Sequence, residues 1–165
     1  MDNIIDRIDV LKSFLARAYW FEIKMEQTKE WLGFLNAQSE ECKEVLFQIT
    51  RDSDNHKNVL EQLFLDIDDF NVKKTIIELN LNQEKTNYNN KLYEEIFNDI
   101  YQTEKKAFEI YTLIKEKTDK NLIDKIWNKA STKDFFEIID WLISEEKKHM
   151  NLVEPFSHGI IQRIQ

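Results

Sequence analysis

Apolar residues recur at alternating steps of three and four along most of the chain, which is the spacing of one face of an α-helix. Two shorter segments, VKKTIIEL within residues 68–86 and DKNLIDKIWNKA at residues 119–130, have a similar pattern. Only two glycines and one proline occur, too few for a protein built on tight hairpins. The pattern therefore predicts an all-α protein. Its four long helices are predicted over about residues 3–36, 40–67, 87–117 and 131–155.

Ionisable side chains interrupt each apolar stripe near its middle. Glu146 lies three residues before His149, so both point to the same side of the fourth helix. Burying such groups unpaired would cost several kcal/mol. A metal ion offsets this cost, because carboxylates and neutral imidazoles are good metal ligands. The sequence therefore predicts a metal site in the core, with the candidate ligands Glu22, Asp52, His56, Glu104, Glu146 and His149.

The candidate ligands repeat in the two halves of the chain. A helix with one carboxylate, followed by a helix with a carboxylate and a histidine, is used twice in bundles that hold two metals. The long segment 68–86 allows the third helix to run parallel to the second. We therefore predict a single domain, residues 1–165, with a ferritin-like four-helix bundle. It has a long crossover between helices two and three and an extra short helix before helix four.

One position breaks the match between the halves. Ser53 stands where the first half should have the equivalent of Glu146, and Asp52 is a shorter replacement. Two metals held unevenly are one outcome, and a mononuclear site is another, with Glu22, Glu104, Glu146 and His149 as ligands. The alternative from a different class is a non-catalytic bundle with a degenerate metal site, acting as a binding or interaction module.

The segments TEKKAFEIYTLI and FFEIIDWLISEEKKHMNLVEPF resemble the second half of the rubrerythrin group of the ferritin-like superfamily. The resemblance implies that Glu146 bridges two metals and that Tyr111 hydrogen-bonds within the site. Glu22 and Glu104 would be terminal ligands, and His56 and His149 would each bind one metal. The resemblance also implies that each chain binds two iron ions, with manganese as the next choice of metal.

The activity implied by the resemblance is that of an oxidoreductase, of peroxidase or ferroxidase type. Oxygen or peroxide would oxidise the metal, for peroxide removal or iron handling, with an unknown electron donor. A substrate oxygenase is possible on the same fold. Cys42 is the only cysteine, so a rubredoxin domain for electron delivery is excluded.

Charge and hydropathy bear on partners and compartment. Asp and Glu outnumber Lys and Arg by 31 to 23, a formal net charge of -8. An acidic chain disfavours nucleic acid and anionic membranes as partners. No apolar run reaches the ~20 residues that span a bilayer. We expect a cytoplasmic protein, with no nucleic-acid or membrane partner, that forms a homodimer.

Overall fold

The computed structural model describes residues 4–24, 39–81, 93–127 and 132–157. These ranges form six helices and no strand, with only isolated bridges between extended residues. The prediction of an all-helical protein is therefore confirmed for the described part of the chain. The helices are α1 Ile8–Lys24, α2 Glu40–Leu65, α3 Val72–Glu78, α4 Tyr93–Lys117, α5 Lys120–Ile126 and α6 Thr132–Ser157.

Polar side chains cap the starts of three helices. Ser39 accepts a hydrogen bond from the backbone N–H of Cys42 at 3.3 Å and begins α2, as the sequence predicts. Asn71 caps α3, and Asp119 caps α5. The predicted cap Ser131, the continuation of the first helix to residue 36 and the start of the third at residues 87–92 lie outside the described residues.

The fourth long helix was predicted to end near Pro155, but α6 continues to Ser157. A proline lacks the backbone N–H that donates to the carbonyl four residues earlier. In the last turn this loss affects one hydrogen bond only, so the helix closes its final turn beyond Pro155.

Two apolar clusters form the core. The large cluster draws on α1, α2, α4, α5 and α6, with Leu15, Leu60 and Leu142 fully buried within it. The small cluster lies towards the start of α2 and α4 and the end of α6. Its members are Cys42, Leu46, Ile49, Ile96, Phe97, Ile100 and Val153. Along α2, α4 and α6, the buried residues between the two clusters are polar or ionisable, namely Ser53, His56, Thr103, Glu104, Glu146 and His149.

Extended residues fix the turn between α4 and α5. The N–H of Ile5 donates to the carbonyl of Lys117 at 2.7 Å, and the N–H of Asp119 donates to the carbonyl of Ile5 at 2.9 Å. A second bridge joins Ile67 to Trp127. These contacts attach the turns that flank α5 to the start of the chain and the end of α2. None of the described helices is long and apolar enough to cross a membrane.

Candidate metal centre

Five ionisable side chains, which we call the ionisable cluster, are buried between the two apolar clusters. Each of the four long helices contributes at least one of them. Relative exposure is 3% for Glu22, 2% for Glu104, 1% for Glu146 and 0% for both His56 and His149. Carboxylates so deeply buried are rare unless a proton, a cation or several donors compensate their charge.

His56 faces two carboxylates from other helices. Its Nδ1 lies 3.0 Å from Oε1 of Glu146 and 3.6 Å from Oε2 of Glu22. The other oxygen of Glu22 accepts a hydrogen bond of 2.8 Å from the Tyr111 hydroxyl. The Trp141 ring packs edge-on against the His56 imidazole, with centroids 5.2 Å apart. Glu22 and His56, from the first half of the chain, thus form a group of three possible metal ligands with Glu146 of α6.

His149 lies between two carboxylates on opposite sides of its ring. Its Nδ1 is 3.3 Å from Oε2 of Glu104, and its Nε2 is 3.4 Å from Oδ2 of Asp52. The rings of His56 and His149 stack with centroids 5.3 Å apart. Asp52 is partly exposed and also pairs with Arg51 at 3.2 Å. Asp52 therefore stands behind the His149 ring, at the rim of the ionisable cluster.

Burial and neighbouring charges alter the protonation of the cluster. Burial, together with the charges of Glu22 and Glu104, raises the pKa of Glu146 well above its usual range. Burial alone would also raise the pKa of Glu104, but hydrogen bonds with Glu146 and His149 hold that pKa below its usual value. Burial disfavours a charged His149, yet Glu104 and Asp52 raise its pKa. Without a cation, protons on Glu146 and His149 reduce the repulsion among the carboxylates.

Several atoms of the cluster have no hydrogen-bond partner among the described residues. They are both ring nitrogens of His56, Oε1 of Glu104 and Oε1 of Glu146. The short separation of His56 Nδ1 and Glu146 Oε1 is therefore a close approach without hydrogen-bond alignment. Buried polar atoms of native proteins are almost always satisfied. A cation with nitrogen and oxygen ligands would satisfy these atoms.

The donor atoms fall into groups that suit a metal ion. Glu22, His56 and Glu146 place one donor atom each within 4.8 Å of one another, and so do Glu104, Glu146 and His149. Glu146 belongs to both groups. The residues present therefore fit one or two metal ions with mixed carboxylate and imidazole ligands.

Five of the six predicted ligands are buried together, whereas the sixth, Asp52, lies at the rim. Asp52 is outside the fully buried groups and contacts the far nitrogen of His149. Ser53 is buried in the position equivalent to Glu146. Glu145, which is not among the six predicted ligands, joins His56 and His149 in a third, partly exposed group of donors. Its position four residues before His149, on the same helix face, is the sequence signal that points to it.

Comparison with known protein families shows a match over the second part of the chain. The sequence model described as the Spb1 C-terminal domain matches residues 65–165, which is more than half of the chain. No curated protein matches, and no solved structure matches. The matched region contains Glu104, Tyr111, Glu146 and His149, whereas Glu22, Asp52 and His56 precede it.

The match shows that the proposed relationship to rubrerythrins is wrong. Glu-x-x-His spacing and a carboxylate on an apolar stripe follow from helical periodicity, so unrelated bundles share them. The family match also overturns the predicted function of an iron-oxidising oxidoreductase, whose partners would be oxygen or peroxide and an electron donor. It overturns the alternative, an interaction module with a degenerate metal site, as well.

The expectation of no nucleic-acid partner is also wrong, because the matching domain comes from an RNA methyltransferase family. A net charge of -8 is weak evidence against nucleic acid as a partner, because it averages over the whole surface and says nothing of local charge. With a match across most of its length, the chain belongs to the Spb1 C-terminal domain family.

Proposed function

We propose that this chain is a helical domain that acts in RNA modification and that divalent metal ions in the ionisable cluster hold its long helices together. The family match supports the RNA setting. One observation carries the metal assignment. Buried carboxylates and imidazoles from four helices converge, and four of their donor atoms have no hydrogen-bond partner among the described residues.

The proposed metals join helices that are distant in sequence. Glu22 comes from α1, His56 from α2, Glu104 from α4, and Glu146 and His149 from α6. We infer that these four helices form one domain, as a four-helix bundle of ferritin-like architecture with α3 in the long crossover. This inference concerns architecture and implies no shared ancestry. Ions at this position stabilise the folded state alone, because the unfolded chain has no assembled site.

The ligands divide between two proposed ions. Glu22, His56 and Glu146 bind one, and Glu104, Glu146 and His149 bind the other, with Glu146 shared. Asp52 contacts Nε2 of His149, and this contact orients the ring so that the other nitrogen, Nδ1, faces the metal. Iron suits this mixed donor set, and manganese is the next choice. The role assigned to the ions is stabilisation, with no redox step.

We assign no methyl-transfer step to this chain. It has two glycines in all, too few for a glycine-rich nucleotide-binding loop, and its described ranges contain no strand to position one. A helical domain attached to an enzyme family contributes binding and positioning. We therefore propose that this domain contacts RNA.

Metal stoichiometry tests the metal assignment. The protein is purified without an affinity tag, stripped of metal, loaded anaerobically with ferrous iron, freed of excess and measured by elemental mass spectrometry. We expect two irons per chain, and a loss of both in Glu146→Gln. The matched control is Glu154→Gln, an exposed carboxylate on the same helix, which keeps both. Absence of bound metal from the wild type, in this experiment and in parallel loadings with manganese and with zinc, overturns the assignment.

A further inference from the structure

We propose that a divalent cation enters the ionisable cluster through the third group of donors, His56, Glu145 and His149, where the ammonium group of Lys148 competes with it. The proposal rests on the metal ions proposed above and names the route by which they arrive. We call these three donor residues the outer group. Each of them places one donor atom within 4.8 Å of the donor atoms of the other two.

The outer group is the part of the metal centre that solvent can reach. The carboxylates of the two buried donor groups are at most 3% exposed. By contrast, the Glu145 side chain is 21% exposed, and it shares its donor group with two fully buried histidines. Asp52, which contacts Nε2 of His149, is 15% exposed. Among the described residues, an ion from solvent therefore meets these two carboxylates before those of the buried groups.

His56 gives the outer group a donor that no protein atom occupies. Both of its ring nitrogens lack a hydrogen-bond partner among the described residues, and a buried polar atom without a partner is costly. An ion held by Glu145 can reach such a nitrogen. The 4.8 Å limit on the donor separations is close to the span of about 4.2–4.4 Å that one ion covers between opposite ligands.

The outer group is a point of passage and holds no third resident ion. It shares His56 with one buried group and His149 with the other. A neutral imidazole has one nitrogen lone pair to offer a metal, because its second ring nitrogen carries the proton. An ion in the outer group therefore occupies the histidines that the two buried ions need. It moves inward as the buried carboxylates bind it, and the final count stays at two ions per chain.

Lys148 places a positive charge at the mouth of the outer group. Its Nζ lies 3.1 Å from Oε2 of Glu145 and 3.6 Å from Oδ2 of Asp52, while Arg51 pairs with the other oxygen of Asp52. The Lys148 side chain is 46% exposed. Ion pairs this exposed contribute little to stability, so a divalent cation can displace the ammonium group. The lysine charge nevertheless repels the approaching cation, so its removal should speed entry.

Stopped-flow fluorescence can follow the arrival of the ion. The Trp141 ring packs edge-on against His56, with centroids 5.2 Å apart, so ferrous iron bound by His56 should quench the emission of Trp141. Metal-stripped protein is mixed anaerobically with excess ferrous iron at several concentrations, and the dependence of the rate on concentration gives a bimolecular rate constant. Elemental mass spectrometry then gives the final number of irons per chain.

Two charge changes should act in opposite directions. Glu145→Gln should lower the rate constant about tenfold and Lys148→Gln should raise it about threefold, with two irons bound at the end in both variants. The matched controls are Glu154→Gln and Lys147→Gln, which make the same charge changes at exposed positions of the same helix. Both controls should load at the rate of the wild type.

The outcomes separate this proposal from the proposed function. If the wild type binds no metal, the metal assignment fails and the entry route fails with it. If the wild type binds two irons and Glu145→Gln loads at an unchanged rate, the route is wrong and the metal assignment stands.

Two other results would overturn the roles given to Glu145 and Lys148. If Glu145→Gln ends with fewer than two irons per chain, Glu145 is a permanent ligand and its role in entry is wrong. Slower loading in Lys148→Gln would show that the lysine holds the two carboxylates in place, and would overturn its competition with the ion.

Discussion

Glu146→Gln should change the stability of the protein in opposite ways with and without metal. Glu146 lies in both groups of donor atoms, so its loss affects both proposed ions. In the metal-free protein, burial and two nearby carboxylates raise its pKa, which shows that an ionised Glu146 is unfavourable there. Glutamine has the same shape and cannot ionise. The variant should therefore lose its response to metal without losing metal-free stability.

The magnitude follows from binding linkage. A ligand at about 100 times its dissociation constant stabilises the folded state by about 2.7 kcal/mol per site. For a domain of this size each kcal/mol shifts the melting temperature by about 2–4 °C. Metal should therefore raise the wild-type melting temperature by about 5–11 °C per site. The rise for Glu146→Gln should be close to zero, and its metal-free melting temperature should equal or exceed that of the wild type.

Differential scanning fluorimetry with an anaerobic ferrous iron titration, repeated with manganese, measures both effects. Glu154→Gln is the control, since this exposed carboxylate on α6 belongs to none of the donor groups of the cluster. A wild-type melting temperature that does not respond to either metal refutes the reasoning. So does a full response in Glu146→Gln, because a shared ligand cannot be dispensable to both ions.

Three further outcomes follow from the cluster. In the metal-free protein, stability should fall as pH rises above the ordinary pKa values of 4.5 for Glu146 and 6.5 for His149, because their raised pKa values mean that the folded state retains protons the unfolded chain has released. A flat or rising melting temperature over that window would contradict this. Tyr111→Phe removes the donor to Glu22 and should cost about 1–3 kcal/mol in urea unfolding; an unchanged midpoint would show that the hydroxyl contributes nothing. Asp52→Asn should weaken the His149 ion about 10–100-fold in competition with a chelator, and equal retention of both ions would remove Asp52 from the site.

Helix positions could be predicted from the sequence because an apolar stripe records which face of a helix is buried. Glu22, His56, Glu104 and His149 lie on those stripes and are buried together in the structure. Asp52 and Glu145 also lie on the apolar stripes, yet both are partly exposed in the structure, and Glu146 is buried in place of its neighbour Glu145. A small rotation of the helix decides which of two neighbouring side chains reaches inward.

Family and partner could not be predicted from the same pattern. Periodicity reports burial, and very different helical proteins bury side chains alike.

The division of the core has a consequence for local unfolding. Among the described residues, buried polar and ionisable side chains lie between the large cluster and the small cluster, which is centred on Leu46, Phe97 and Val153. We expect that, without ions, this layer adds little apolar contact between the two clusters, so that the small cluster opens as a separate cooperative unit. Amide hydrogens near the start of α2 and α4 would then exchange with solvent through partial opening, ahead of those around Leu15 and Leu142. Metal would merge the two units into one, so the ions would determine how cooperatively the domain unfolds as well as how stable it is.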